Sequence, residues 1–384
     1  MVFGPSIGDV IRERGPRANN YDLIRLVAAT LVLVSHAFPL TAGNDAGDPL
    51  SLLTRGQATL GALAVGVFFF VSGVLVTQSY GQSEGLRHFL WKRALRLFPG
   101  LIVLVLLTTF VLGPLLTQLS PADYLSAPGT WDYLQNMLLR TRDFLPGVFE
   151  AAPFARGVNG SLWTLPYEVR CYLVVAALGV VGLLSWRWAM ALLLACLAVS
   201  FAFVHFPEQL RGWPGASVIR QSADLTSYFA AGMLCWLRRD LAGTGRVPFL
   251  AGVLLLLVAT QTPVFVPLAA LAVGLLIPPI AYASADWPRR LTASGDYSYG
   301  IYLYAFPVQQ TVVALLPVPP TWWLNILIAA PATLLLAVLS WHFVERPLLA
   351  LKTSAVTTSS PPGFFSRIAG RATRSGPTGG PGKG

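Results

Sequence analysis

The stretch Tyr21–Leu40, YDLIRLVAATLVLVSHAFPL, is apolar apart from its hydroxyls and three side chains, Asp22, Arg25 and His36. About 20 mainly apolar residues are what a helix needs to cross a bilayer. Arg25 and His36 are eleven residues apart, almost three whole helical turns. They therefore share one helix face, about 16 Å apart along the axis. Asp22 and Ala29 fall near the same face. An ionisable group inside such a span is costly and is by default a functional hypothesis.

The same kind of stretch recurs along the chain, at about 22–40, 60–79, 97–116, 161–184, 187–204, 220–237, 248–260, 264–284, 297–316 and 322–344. The seventh is short and flanked by proline, which leaves a half-span or a merger with the eighth open. Composition agrees. Of 384 residues 54% are hydrophobic and 11% charged, with a mean hydropathy of +0.61. A soluble domain carries about 25% charged residues, so a water-soluble enzyme, a disordered chain and a fibrous chain are all excluded. The fold class expected is all-α, a polytopic transmembrane helix bundle of about ten spans.

The net charge of +10 is read as a topology signal and not as a nucleic-acid surface, because the basic residues lie between the apolar runs. If the N-terminus is inside, twenty of the 27 Lys and Arg fall in inner segments and six in outer ones, with Arg170 inside a span. That bias predicts an even number of spans and both termini cytoplasmic. The longest outer loop, about 118–159, is large enough to cover a site. From about Lys352 the chain is rich in Ser, Thr, Pro, Gly and Arg, which predicts a disordered cytoplasmic tail over 351–384. Residues 1–20 form a cytoplasmic N-terminal segment and 21–350 the membrane domain. Cys171, Cys196 and Cys235 lie in apolar stretches without ligand spacing and are expected as buried free thiols. No metal site is expected.

Two further groups stand out. Glu168 follows Leu162 by six residues and lies roughly 9 Å into the fourth stretch, at a depth like that of His36 from the other end of its helix. A carboxylate and an imidazole at matched depth can share a proton or orient one another. The alternative is a structural pair such as Glu168 with Arg170. In Trp91–Arg96, Arg93 and Arg96 are i and i+3, on one face at the inner end of the third stretch. Two forked guanidinium groups suit a phosphate, although arginines at inner helix ends also occur for topology alone.

Five segments in order, Tyr21–His36, Gly66–Gly73, Phe89–Pro99, Leu162–Tyr172, and Tyr297–Pro307 with Trp341–Pro347, resemble the acyltransferase-3 family of membrane acyltransferases. The family's Arg-ten residues-His motif falls on Arg25 and His36, its Arg-x-x-Arg motif on Arg93 and Arg96, and its acidic residue on Glu168. The acidic position often found before the Phe-Phe pair is Gly66 here, and the His common after Tyr-x-x-Tyr-Leu is Ala305.

The resemblance implies an O-acyltransferase that takes an acyl group, acetyl by default, from cytoplasmic acyl-CoA to a hydroxyl of a surface saccharide or lipid-linked glycan on the outer side. His36 and Glu168 are then the catalytic pair, and Arg25, Arg93 and Arg96 hold the donor. His36 acting as base and an acyl-histidine intermediate both remain open. The expected setting is the bacterial inner membrane, with bound lipid, and a stand-alone domain without a C-terminal hydrolase-like unit. The rival reading is a transporter or flippase of a lipid-linked saccharide, although no inverted repeat is evident.

Overall fold

The computed structural model describes residues 4–16, 18–284 and 290–352. The predicted tail beyond Lys352, and with it Arg17 and Arg289 of the charge pattern, lie outside the described residues. The regular elements of those described are all helical, with no strand and one isolated bridge between Ser6 and Gly243.

Each apolar stretch contains a helix, in order: α1 Tyr21–Ala42, α2 Leu60–Gly81, α3 Leu86–Leu107, α4 Leu165–Val180, α5 Trp186–His205, α6 Ala216–Leu237, α7 Arg246–Thr260, α8 Phe265–Ala281, α9 Ser298–Leu315 and α10 Trp322–Ser340. A chain in lipid has no water to satisfy its backbone, so helices are the local solution. Among the described residues, five segments are long and apolar enough to cross a membrane: α1, α2, Leu86–Leu116, α5 and Trp322–Ala350. α7 and α8 are shorter apolar helices joined by a tight turn, so the seventh stretch does not merge with the eighth. Length and apolarity by themselves thus support five crossings and not ten.

The helices run alternately between two ends. At one end the N-terminal helix Ile7–Arg14 docks by Ile7 N–H donating to Ala242 O (2.9 Å), with Arg14 donating to Ser284 Oγ (2.6 Å) and Arg238 stacked on Trp186. At the other, Gln57 donates to Thr262 O (2.8 Å) and Phe38 stacks on Trp322. The N-terminal segment and the connections after α2, α4, α6 and α8 therefore share one end. Large side chains in mid-helix, such as Leu194, Leu254, Leu327 and Leu335, stay exposed on the outside of the bundle. An apolar belt of this extent belongs in lipid, and the chain is an integral membrane protein.

Inside, small residues let helices touch. A Cβ added to Gly73 of α2 would lie 2.1 Å from Phe229 O of α6, and one on Gly232 of α6 would lie 2.1 Å from Phe70 O of α2. This reciprocal contact brings two backbones together where lipid offers no hydrophobic drive. Gly66, one of the two departures from the family pattern, leaves the space that the Tyr228 ring fills, 2.6 Å from where a Cβ would be.

Residues 117–164 are a folded cap at the end away from the N-terminus. They contain short helices over Pro121–Ser126 and Pro128–Asp132, and Tyr124, Tyr133, Leu145, Val148 and Val158 are fully buried. The cap is pinned to α9 through Asn159 Nδ2 donating to Leu303 O (3.0 Å), and Gln310 Nε2 donating to Phe154 O and Gly157 O (both 2.8 Å).

Candidate active site

A cavity of about 500 Å³ lies between α1, α2, α3, α4 and α9. Along α2 its wall runs from Gln82 to Val65, a distance of about 25 Å at 1.5 Å per residue. The long axis of the cavity thus follows the bundle. Its two ends differ chemically. Asp22, Arg25, Arg93, Arg96, Asp296 and Lys352 cluster toward the end where the N-terminus lies, while Val65, Phe68, Phe69 and Leu165 line the other.

Helix geometry places these groups. Arg93 and Arg96 project from one face of α3, as their spacing predicts. The sequence reading treated them as equivalent, and the structure separates them. Arg96 Nη2 donates to Asp296 Oδ2 (2.5 Å), and its Nη1 lies 3.8 Å from Glu345. Arg25 donates to the same Asp296 oxygen. Asp296 thereby bridges α1 and α3, and its other oxygen accepts from Ser298 Oγ (2.5 Å). Burial works to raise the Asp296 pKa, but Arg25 and then Arg96 outweigh it and hold the carboxyl well below the usual range. Glu345 sits on a π-helical turn, Trp341–Glu345, which directs its carboxylate inward to accept from Ser340 Oγ (3.0 Å).

Arg93 has no carboxylate partner among the described residues. Its Nη2 reaches Ser79 Oγ at 3.3 Å, its guanidinium lies over the Tyr172 ring, and its Nε is buried without a hydrogen bond. Trp341 Nε1, also on the cavity, is a second buried donor without a partner among the described residues. Lys352 adds a charge at the mouth. Burial first, then Arg93, Arg96 and Lys92, lower its pKa to about 8. Unmatched donors and uncompensated positive charge suit an anionic ligand.

Glu168 lines the cavity one turn into α4, and accepts a hydrogen bond from Tyr172. Arg170, its possible structural partner, instead donates to Ser222 and lies over Tyr167. Arg25, Arg93, Arg96 and Glu168 are thus brought to one cavity. His36 is not on its wall. It makes no hydrogen bond among the described residues, its Nδ1 is buried, and its ring meets Phe306 edge-on with centroids 5.1 Å apart. Phe306 is one turn beyond Tyr302 on α9, and Tyr302 does line the cavity. His36 therefore lies about one helical turn, some 6 Å, past the apolar end.

That position is firmly built. Ser35 donates to the buried Asp48 (2.6 Å), whose other oxygen accepts from Leu50, Ser51 and Leu60 N–H. Gln309 donates to Leu33 O (3.0 Å) and to Asn325 Oδ1 (2.9 Å), tying α1, α9 and α10 together. Sequence reasoning missed Asp296, Glu345, Tyr172, Trp341 and Lys352. Asp296 and Glu345 lie within or beside segments that carry the family resemblance, and each sits next to an apolar run, which was the available signal. The three cysteines are buried and free, as expected.

The acyltransferase-3 profile, described as an acyltransferase domain, matches residues 19–342. The chain belongs to the acyltransferase-3 family. This acyltransferase is 29% identical over 348 residues to the O-acetyl transferase of Shigella phage Sf6, covering 87% of the chain and 96% of that relative. It is 31% identical over 366 residues to nodulation protein 10 of Rhizobium leguminosarum bv. viciae, covering 88% and 95%. A Bacillus subtilis (strain 168) protein, provisionally named a peptidoglycan O-acetyltransferase, is 25% identical over 363 residues, 82% of the chain and 54% of that protein. No solved structure matches the acyltransferase. The enzyme class is O-acyltransferase, which sets aside the transporter reading.

Proposed function

We propose that the protein moves an acyl group, acetyl by default, from acyl-CoA entering at the Arg93–Lys352 end to a saccharide hydroxyl at the His36 end. The N-terminal end of the bundle would face the cytoplasm, in a bacterial inner membrane, and the acceptor would be a surface or lipid-linked glycan. The observation that carries this reading is the polarity of the cavity: cationic at one mouth, apolar toward the other, and elongated between them. A donor with phosphates at one end and an acyl thioester on a long arm at the other has the matching shape and charge. Relatives named for O-acetyl transfer, one of them on peptidoglycan, support the acceptor class.

In this mechanism Arg93 and Lys352 hold donor phosphates beside the Arg25–Asp296–Arg96 bridge. His36 takes the proton from the acceptor hydroxyl as its oxygen attacks the thioester carbonyl. The carbon–sulfur bond breaks, and the imidazolium returns the proton to the departing thiolate. Glu168 acts by steering the arm through its contact with Tyr172.

Mass spectrometry of surface glycan from cells with and without the gene tests the function. A base-labile acyl mass present only with the gene is expected; identical glycans would sink the reading. The donor end has its own signature. Arg93→Ala should raise the acyl-CoA KM about tenfold or more with kcat little changed, since a charged hydrogen bond is lost. Lys352 is charged below about pH 8 and neutral above it, so donor kcat/KM should fall as pH rises from 7 to 9. Lys352→Arg, which stays charged, should flatten that fall, and an unaltered profile would remove Lys352 from the donor site.

A further inference from the structure

A second pocket, of about 370 Å³, opens in the cap, away from the helices of the main cavity. Two arms of the cap form it, Asp143–Phe144 and Phe154–Gly157, closed at the base by Val158 N–H donating to Asp143 O (2.8 Å). Gln310 of α9 holds the second arm by its backbone carbonyls, so the pocket is fixed to the same helix that carries Phe306.

Its chemistry is unspent. Phe144 and Phe154 are both partly exposed. Asp143 and Arg156 share the pocket, yet neither makes a side-chain hydrogen bond or ion pair among the described residues; the Arg156 guanidinium lies over Phe144, 5.8 Å from the ring centroid. Arg156 adopts φ of +64°, left-handed backbone that a non-glycine residue occupies at a cost, and such residues concentrate at ligand clamps. The pocket is also linked to the histidine by two ring contacts. Phe154 packs on Phe306 with ring centroids 5.9 Å apart, and Phe306 packs on His36 at 5.1 Å.

We propose that this pocket binds a sugar ring of the saccharide acceptor and presents its hydroxyl toward His36, an inference that rests on the acyl-transfer reading above. Aromatic rings cover the C–H face of a pyranose. A carboxylate accepts from its hydroxyls, and a guanidinium donates to them in a fixed fork. Few polar groups on an apolar, rigid scaffold are what orientation of a small ligand requires.

Arg156→Gly is the informative variant, because glycine adopts the left-handed backbone freely and removes only the side chain. Its thermal stability should match or exceed wild type, its acyl-CoA KM should stay within twofold, and its acceptor KM should rise about tenfold. Asp143→Asn should also raise the acceptor KM alone. The acceptor probe is surface glycan from cells lacking the gene, de-esterified with mild base. Saturation-transfer NMR with that glycan on purified protein should show ring-proton contacts that weaken in Phe154→Leu. If wild type acylates the glycan and both charge variants keep the wild-type acceptor KM, the pocket assignment falls while the function stands. If wild type neither acylates nor binds the glycan, the function itself falls and takes the pocket's sugar with it.

Discussion

His36→Ala is expected to lower acyl transfer by about 10²–10⁴-fold, the range over which a positioned general acid–base group contributes. The fold should persist, because the imidazole makes no hydrogen bond among the described residues and its loss removes packing, including the edge contact with Phe306, but no polar tie. The neighbouring Ser35–Asp48 and Gln309–Asn325 bonds hold α1 without it. Initial rates with acyl-CoA and de-esterified glycan, read beside thermal unfolding in detergent, separate the two effects. The acyl-CoA KM should change little, since the cationic mouth is some 16 Å away along α1. Near wild-type transfer in a well-folded variant would end the role assigned to His36, for the base and acyl-histidine routes alike. A trapped, base-labile acyl group on wild-type protein and not on His36→Ala would decide for the second route.

Asp296→Asn is expected to destabilise the protein by about 3–5 kcal/mol, the cost of leaving a buried charge without its partner. Asparagine has nearly the same shape, so packing is kept and only the charge goes. Two arginines, Arg25 and Arg96, then lie side by side without their shared carboxylate, with Asp22 at 4.0 Å from Arg25 and Glu345 at 3.8 Å from Arg96 as the remaining counter-charges. A lowered unfolding temperature and reduced yield are the readouts, together with a raised acyl-CoA KM as the floor of the donor site loses its order. Adding Arg96→Met should restore part of the stability, because it removes one of the stranded charges. An unchanged unfolding temperature for Asp296→Asn would show that the bridge contributes nothing.

Much of this architecture could be read in one dimension, for an identifiable reason. Apolar runs long enough to span lipid must be helical, so ten stretches predicted the positions of ten helices in order. Arg25 with His36, and Arg93 with Arg96, were legible because helical spacing fixes which side chains share a face. Spacing also limited the reading. It made Arg93 and Arg96 look alike, and it matched Glu168 to His36 by depth, whereas Glu168 meets Tyr172 and His36 meets Phe306. Depth along an axis says nothing about rotation around a neighbouring helix.

What the sequence by itself determined is what lipid and local helix geometry impose: an all-helical membrane protein, a basic face on α3, and an ionisable stripe on α1. Its ordered segments also sufficed to point to the family. The tertiary structure alone decided which arginine is free to meet a ligand. Asp296 stands 271 residues from Arg25 and 200 from Arg96, and no local pattern records that one carboxylate will neutralise both. The same holds for the pocket in the cap, whose walls come from two arms closed by a single backbone bond. Charge pairing in a bundle acts between helices and through space, and periodicity within each helix carries no information about it.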